Sequence, residues 1–218
     1  MGVSEELQHI PQGVVERLPN YLNVLLHLRN EGATTVSSSD LSALAGVNAA
    51  QIRRDLAYFG QFGKRGVGYD TASLVDRIQR ILGSDHAHRL AIVGAGNLGS
   101  AIARYEGMRE RGFVVAALFD NDTRQVGKRH GELVVRDIRD MPRVVSEQQI
   151  RFGVIAVPAE SAQQAADLMV QAGITVILNY SSTFVTVPPG VTLHNTDPVR
   201  ELLHTLYYLS RAEGVARV

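Results

Sequence analysis

The chain has 218 residues, with 22 Lys and Arg against 22 Asp and Glu, a formal net charge of zero and no cysteine. At 45% hydrophobic and 20% charged residues it carries enough apolar material for packed cores, which excludes a disordered chain, and its length suits one large domain or two small ones. Without cysteine there is no disulfide framework or thiolate chemistry, and the seven histidines are scattered, so no metal site is expected and a reducing cytoplasm fits. The opening Met1-Gly2-Val3-Ser4-Glu5-Glu6 has neither a basic nor an apolar region, so no signal peptide is expected. The uncharged stretch 168–196 is interrupted by Gly173, Asn179, Pro188, Pro189 and Gly190, so no membrane span is expected either. Zero net charge argues, at first sight, against a nucleic-acid partner.

Two textures meet near residue 85. Leu18, Tyr21, Leu22, Leu25 and Leu28 recur at helical spacing and predict an amphipathic helix over Val14 to Asn30, closed by Gly32. Ser37-Ser38-Ser39 supply N-cap hydroxyls for a short helix, Asp40 to Ala45, ended at Gly46. A third helix is expected from about Asn48 to Phe59. Residues 60–69, GQFGKRGVGY, suit a tight hairpin, and Leu74 to Leu82 resumes helical spacing.

From Arg89 the pattern alternates. Leu90 to Val93 reads as a buried strand, then a helix runs through about Arg111, and Phe113 to Phe119 is a second strand ending at Asp120. Phe152 to Val157 and Ile174 to Leu178 are further strands, flanking a helix over Ala162 to Gln171. The expected fold class is α/β: a mostly parallel, doubly wound sheet of Rossmann type behind an N-terminal helical domain. Pro198 to Arg211 is helical again, with Val199, Leu202, Leu203, Leu206 and Leu209 on one stripe. The expected domains are therefore residues 1–85, 86–196 and a C-terminal helical segment, 197–218.

Gly94-Ala95-Gly96-Asn97-Leu98-Gly99 matches G-x-G-x-x-G, directly after a strand and opening a helix, with Asp120 following 21 residues after Gly99 at the next strand tip. In a dinucleotide site Gly94 makes the tight turn, Gly96 admits the pyrophosphate, Gly99 lets helix pack on strand, and Asp120 accepts from the adenosine ribose hydroxyls. Asp120 and Asp122 together favour NAD(H) over its 2′-phosphorylated form, with Arg124 a counter-indication. Pro158 and Asn179 follow later strands and are candidates for the nicotinamide side of the cleft, although for either one alone an ordinary turn residue is the plainer reading. The plainer reading, that the glycines only permit a turn, accounts for less of this context.

Three helices and a glycine hairpin fit either a small interaction module or a winged helix-turn-helix. Residues 1–85 carry eight basic and nine acidic side chains, yet between Val47 and Tyr69 Arg53, Arg54, Lys64 and Arg65 oppose only Asp55, a local charge of +3. That is where a recognition helix and wing would lie, with Asn48, Gln51, Arg53 and Arg54 on the helix and Lys64 and Arg65 on the wing. On charge alone, a solvated helix face with a turn is the better explanation of the cluster.

Taken together, Gln51 to Gly60 (QIRRDLAYFG), Phe62 to Tyr69 (FGKRGVGY), the GAGNLG loop, Tyr105-Glu106-Gly107 and Phe119-Asp120 resemble the Rex family of bacterial redox-sensing transcriptional repressors. The resemblance covers nearly the whole chain. It implies a homodimer whose winged helix-turn-helix binds palindromic operators while the Rossmann domain senses the NADH/NAD⁺ ratio, NADH releasing the DNA and acting as a sensed ligand without turnover. It further implies that the helix Pro198–Arg211 swaps between protomers, and that Tyr105, near the nicotinamide, and Asp197 take part in the switch. The sequence departs from the family at Asn23 and at Pro198, where some members carry an arginine and an aromatic residue. The alternative is an NAD-dependent oxidoreductase with an accessory helical domain, for which Tyr105, Tyr180 and His194 are candidate proton carriers. No substrate domain follows residues 86–196, which weighs against catalysis.

Overall fold

A computed structural model describes residues 10–60, 63–64, 68–197, 199, 202–203 and 205–206. The chain separates into two compact units, Met1–His86 and Ala87–Val218.

In the first unit, α1 (Gln12–Asn30) buries Val14, Leu18, Tyr21, Leu22 and Leu25 along one stripe. Pro19 lies inside it, and the packing of this stripe keeps the helix continuous despite the lost backbone donor. The strand β1 (Thr35–Val36) leads into α2 (Ser38–Ala45), which opens on a capping box: the Ser37 hydroxyl accepts from the amides of Ser39 and Asp40, and the Asp40 carboxylate accepts from the Ser37 amide. Gly46 ends α2 in the left-handed conformation at φ 65°. The helix α3 (Ala49–Ala57) is capped by Asn48, whose Oδ1 accepts from the Gln51 amide at 2.8 Å. It stops two residues short of Phe59. The hairpin follows as β2 (Gly63–Lys64) and β3 (Gly68–Asp70), and α4 (Thr71–Leu82) completes the unit.

β3 is central in a three-stranded antiparallel sheet of order β1-β3-β2. β1 is too short to show a period-two pattern, and sequence reading missed it. Gly68 permits the pairing: its φ is +94°, and a Cβ there would stand 2.6 Å from the Val36 carbonyl oxygen. Helices α1 to α4 close over one core that includes Leu18, Tyr21, Leu41, Ile52, Leu56, Leu74 and Ile78. This is a winged helix-turn-helix.

The second unit is built on β4 (His88–Val93), the most central strand. After it come α5 (Asn97–Ala103), a 3₁₀ turn at Glu106–Arg111, β5 (Phe113–Asp120), the hairpin β6 (Arg129–His130) and β7 (Leu133–Asp137), and α6 (Met141–Glu147). Then β8 (Phe152–Ile155), α7 (Ala159–Gln171), β9 (Val176–Asn179) and β10 (Thr192–Asn195) complete it. The sheet order is β10-β9-β8-β4-β5-β7-β6, parallel except for β6. Leaving out β6, that is the doubly wound order of a Rossmann sheet, with its switch point beside β4. Each central strand buries both faces: Leu90 and Ile92 point into one core, Ala91 and Val93 into the other.

The expected long helix after the glycine loop is broken. It ends at Ala103, Tyr105 takes an extended conformation, and the 3₁₀ turn begins at Glu106. The described positions after Asp197 (199, 202–203 and 205–206) are helical, and Val199, Leu202, Leu203 and Leu206 are exposed. Pro198 and residues 207–211 of the expected terminal helix lie outside the described residues. Among the described residues no helix is long and apolar enough to cross a membrane.

Candidate functional site

The glycine loop joins β4 to α5 at the carboxyl end of the sheet, and its three glycines meet different constraints. Gly94 has φ +104°, and a Cβ on it would stand 2.4 Å from the Ala156 carbonyl oxygen. A Cβ on Gly99 would stand 1.8 Å from the Gly94 carbonyl oxygen, so the helix can approach the turn only without a side chain. Gly96 is different: it has φ −70°, which any residue adopts, and a Cβ there would meet nothing within 4 Å. The absence of a side chain at Gly96 serves no internal packing. It leaves open space over the first turn of α5, which a Cβ would begin to fill.

That space belongs to a cleft of about 210 Å³ lined by Val93, Gly94 and Gly96 with Asp120, Ala156 and Pro158 at the ends of neighbouring strands. Asp120 closes one side. Its Oδ2 accepts from the Ala95 amide at 2.7 Å and its Oδ1 from the Asp122 amide at 2.8 Å, so the carboxylate fastens the glycine loop to the turn after β5. Each oxygen keeps a lone pair for a ligand hydroxyl. Asp122 is held in a fork by Arg124, with Nε and NH2 at 2.8 to 3.0 Å, and this pairing keeps its carboxyl below the ordinary carboxylate range. Arg124 is thus engaged with a carboxylate at the same turn, which lessens its value as a partner for a 2′-phosphate. The open Gly96 and the carboxylate of Asp120 suit the adenosine diphosphate half of a dinucleotide.

The structure brings Gly94, Gly96, Asp120 and Pro158 to one cleft. Ala95 is buried beside Asp120, Asn97 and Leu98 are exposed in the first turn of α5, and Gly99 packs beneath the loop. Asn179 is completely buried. It donates to the Thr183 carbonyl and to Asn195 Oδ1 and accepts from the Ser181 amide and hydroxyl, a clamp that holds the loop after β9. Tyr105 lines a separate groove of about 630 Å³ with Arg104, Phe113 and His130, and its ring occupies the space a Gly107 side chain would need, 2.7 Å from the position of that Cβ. Asp197 caps the terminal helical segment by accepting from the Val199 amide at 2.9 Å. Among the described residues no cluster of three or more metal-ligating side chains occurs.

In the first unit, the predicted surface residues of α3 are tied to one another and to the core. Asn48 caps the helix, the Arg53 guanidinium donates to the Ser38 hydroxyl at 2.9 Å, and Arg54 donates to Gln51 Oε1 at 2.7 Å. Lys64 lies in β2, and Arg65 falls outside the described residues. Asn23 is exposed on α1. Sequence reading missed the residue at the centre of this unit. Asp55 is fully buried and accepts from Arg17 Nε at 2.7 Å and NH2 at 2.8 Å, from the Tyr21 hydroxyl at 2.7 Å and from Gln51 Nε2 at 2.7 Å. Burial alone pushes its pKa up, but the bonds from Arg17, Tyr21 and Gln51 outweigh burial and hold it below the ordinary value. Burial, with the negative Asp55 beside it, pushes the Tyr21 phenol up to about 12. A signal was present: Asp55 falls on the apolar stripe of Ile52 and Leu56 on α3 and Phe59 just beyond it, and Arg17 on that of α1.

Residues 9–57 match a family model described as putative DNA-binding protein N-terminus, and residues 85–183 one described as CoA binding domain. The redox-sensing transcriptional repressor Rex of Rubrobacter xylanophilus is 48% identical over 92% of this chain and 93% of its own length. That of Chloroflexus aurantiacus is 46% identical over 93% and 96%. Among solved structures, RSP, a Rex-family repressor, in complex with NADH superposes with a TM-score of 0.82 at 33% identity, covering 94% of this chain and 97% of that one. RSP in complex with NAD⁺ and operator DNA gives 0.81 at 35% identity, covering 94% of each chain. With a winged helix-turn-helix, a doubly wound sheet carrying the glycine cleft, and relatives of this identity along nearly its full length, the chain belongs to the Rex family of redox-sensing transcriptional repressors and not to the dehydrogenases built on the same sheet.

Proposed function

We propose that the chain is a homodimeric repressor that binds palindromic operator DNA through α3 and the β2–β3 wing, senses the NADH/NAD⁺ ratio in the glycine cleft, and leaves the operator when NADH binds. The observation that carries the reading is the open space at Gly96 beside Asp120, at the switch point of a sheet whose chain also bears a DNA-reading fold. Gly96 admits the pyrophosphate to the backbone, Asp120 accepts from ribose hydroxyls, and Pro158 borders the far side. Coenzyme A shares the adenosine diphosphate unit, but its ribose phosphate would approach the Asp120 carboxylate, which favours NAD(H).

On the DNA side, Asn48, Gln51, Arg53 and Arg54 present the exposed end of α3 to the major groove, and Lys64 and Arg65 put the wing against the adjacent backbone. Dimerisation through the terminal helix is supported by Val199, Leu202, Leu203 and Leu206, exposed and spaced as one stripe. Tyr105 and Asp197 belong to the switch between the two states. A cytoplasmic location fits a DNA-binding protein without cysteine.

The test is a titration of NADH and of NAD⁺ against the protein on a labelled operator duplex. NADH is expected to weaken operator binding far more than NAD⁺ does, with no consumption of NADH; equal effects of the two nucleotides overturn the reading.

A further inference from the structure

The polar core of the first unit reaches the surface of α3 in a single line. Arg17 and Tyr21 hold Asp55, Asp55 accepts from Gln51 Nε2 at 2.7 Å, and Gln51 Oε1 accepts from Arg54 at 2.7 Å. The orientation of the Gln51 amide follows from chemistry: a carboxylate only accepts and a guanidinium only donates, so the NH₂ must face Asp55 and the oxygen must face Arg54. Glutamine reads adenine by using both ends of its amide at once, and here both ends are engaged. The three residues sit at i, i+3 and i+4 on α3, the spacing that puts side chains on one face.

Resting on the DNA-binding reading above, we propose that Gln51 is a positioning residue that relays the buried Asp55 to Arg54, and that Arg54 is the group this line presents to DNA. A guanidinium has more donors than the one bond to Gln51 uses, so a fork remains for guanine or for a phosphate. The rotamer freedom an arginine loses at an interface is already restricted in the free protein. Glutamine is the side chain the position requires, because glutamate would set a second carboxylate against Asp55.

The experiment is selection from a random duplex library by the full chain, followed by affinity measurement on the enriched duplex, for wild type, Gln51→Ala, Arg54→Ala, the double variant and Gln51→Glu. Alanine is the most favourable residue within a helix, so α3 persists in these variants, as thermal melts would verify. Gln51→Ala is expected to weaken binding about 3- to 10-fold, to change the base-preference profile in the same way as Arg54→Ala, and to cost nothing further on the Arg54→Ala background. Gln51→Glu is expected to bind less tightly than Gln51→Ala. The relay is overturned if Gln51→Ala flattens a position that Arg54→Ala leaves sharp, if the two losses multiply, or if Gln51→Glu binds like wild type. A wild-type protein that enriches no sequence overturns the DNA-binding reading itself, whereas an enriched operator with independent losses overturns the relay alone.

Discussion

At the scale of single residues, the three glycines of the loop make separable predictions. Gly96→Val leaves the thermal midpoint of the second unit nearly unchanged, since the backbone is ordinary and the Cβ meets nothing, and weakens NADH binding by at least tenfold. Gly99→Ala, whose Cβ would sit 1.8 Å from a carbonyl oxygen, destabilises the unit by about 3 kcal/mol or more whether or not nucleotide is present. Calorimetry with and without NADH distinguishes the two. Asp120→Ala loses the ribose acceptor and also releases the Ala95 and Asp122 amides, so it weakens NADH and loosens the loop, while operator affinity is retained. Asp55 predicts a pH dependence. Its folded carboxyl lies below the ordinary value, so above the unfolded pKa of about 3.9 its contribution is complete, and as pH falls towards the folded value that stability is lost. Tyr21 has the opposite sign: its contribution is complete below pH about 10 and is lost as pH rises through about 12. Melts of the wild type against Asp55→Asn and Tyr21→Phe over pH 3 to 12 are expected to show the variants flatter at the acid and alkaline ends respectively.

At the scale of elements, what the sequence announced was what local rules govern. Helices with caps and stripes, α1 to α4 and α7, lie close to where Ser37, Asn48 and the apolar spacing put them, and the runs of β4 and β5 were legible because buried parallel strands are continuously apolar. The elements that were missed depend on partners distant in sequence. β1 exists as a strand only because β3, more than 30 residues further along the chain, lies beside it. The same division runs through the sites. The glycine fingerprint is local and readable, whereas two of the three partners of Asp55, Tyr21 and Arg17, come from α1, 34 and 38 residues away, and only the misplaced charge on an apolar stripe hinted at them. Gly68 offers a test at this scale: Gly68→Ala strains a positive φ and forces β1 from β3, costing about 1 to 3 kcal/mol of stability in the first unit by thermal melt and weakening operator binding through the wing.

At the scale of the whole molecule, a net charge of zero averages a charge of +3 over Val47 to Tyr69, where the recognition helix and wing are proposed, with −3 over the remainder. In the homodimer proposed above two copies double that surface, so affinity is expected to depend on both half-sites being engaged and to fall steeply with salt. Replacing Leu202 and Leu206 together by Glu, on the exposed stripe, is expected to give monomers by sedimentation and to reduce operator affinity more than tenfold. Linkage adds a symmetrical requirement: whatever factor NADH imposes on operator binding, operator imposes on NADH binding, which calorimetry on the free and DNA-bound dimer would measure.

The reading head itself is cross-braced. β1 runs directly into the cap of α2 and pairs with β3 of the wing, Arg53 ties α3 to Ser38 at the start of α2, and Arg77 on α4 reaches the Phe59 carbonyl just past α3. A structure braced in this way does not adjust its grip by flexing one part. In the homodimer proposed above, a signal from the cofactor cleft is therefore expected to displace each head as a single piece, and the quantity tuned is expected to be the distance between two stiff heads. On that reading the operator is a ruler: inserting half a helical turn between its half-sites is expected to abolish binding, with every base contact still available.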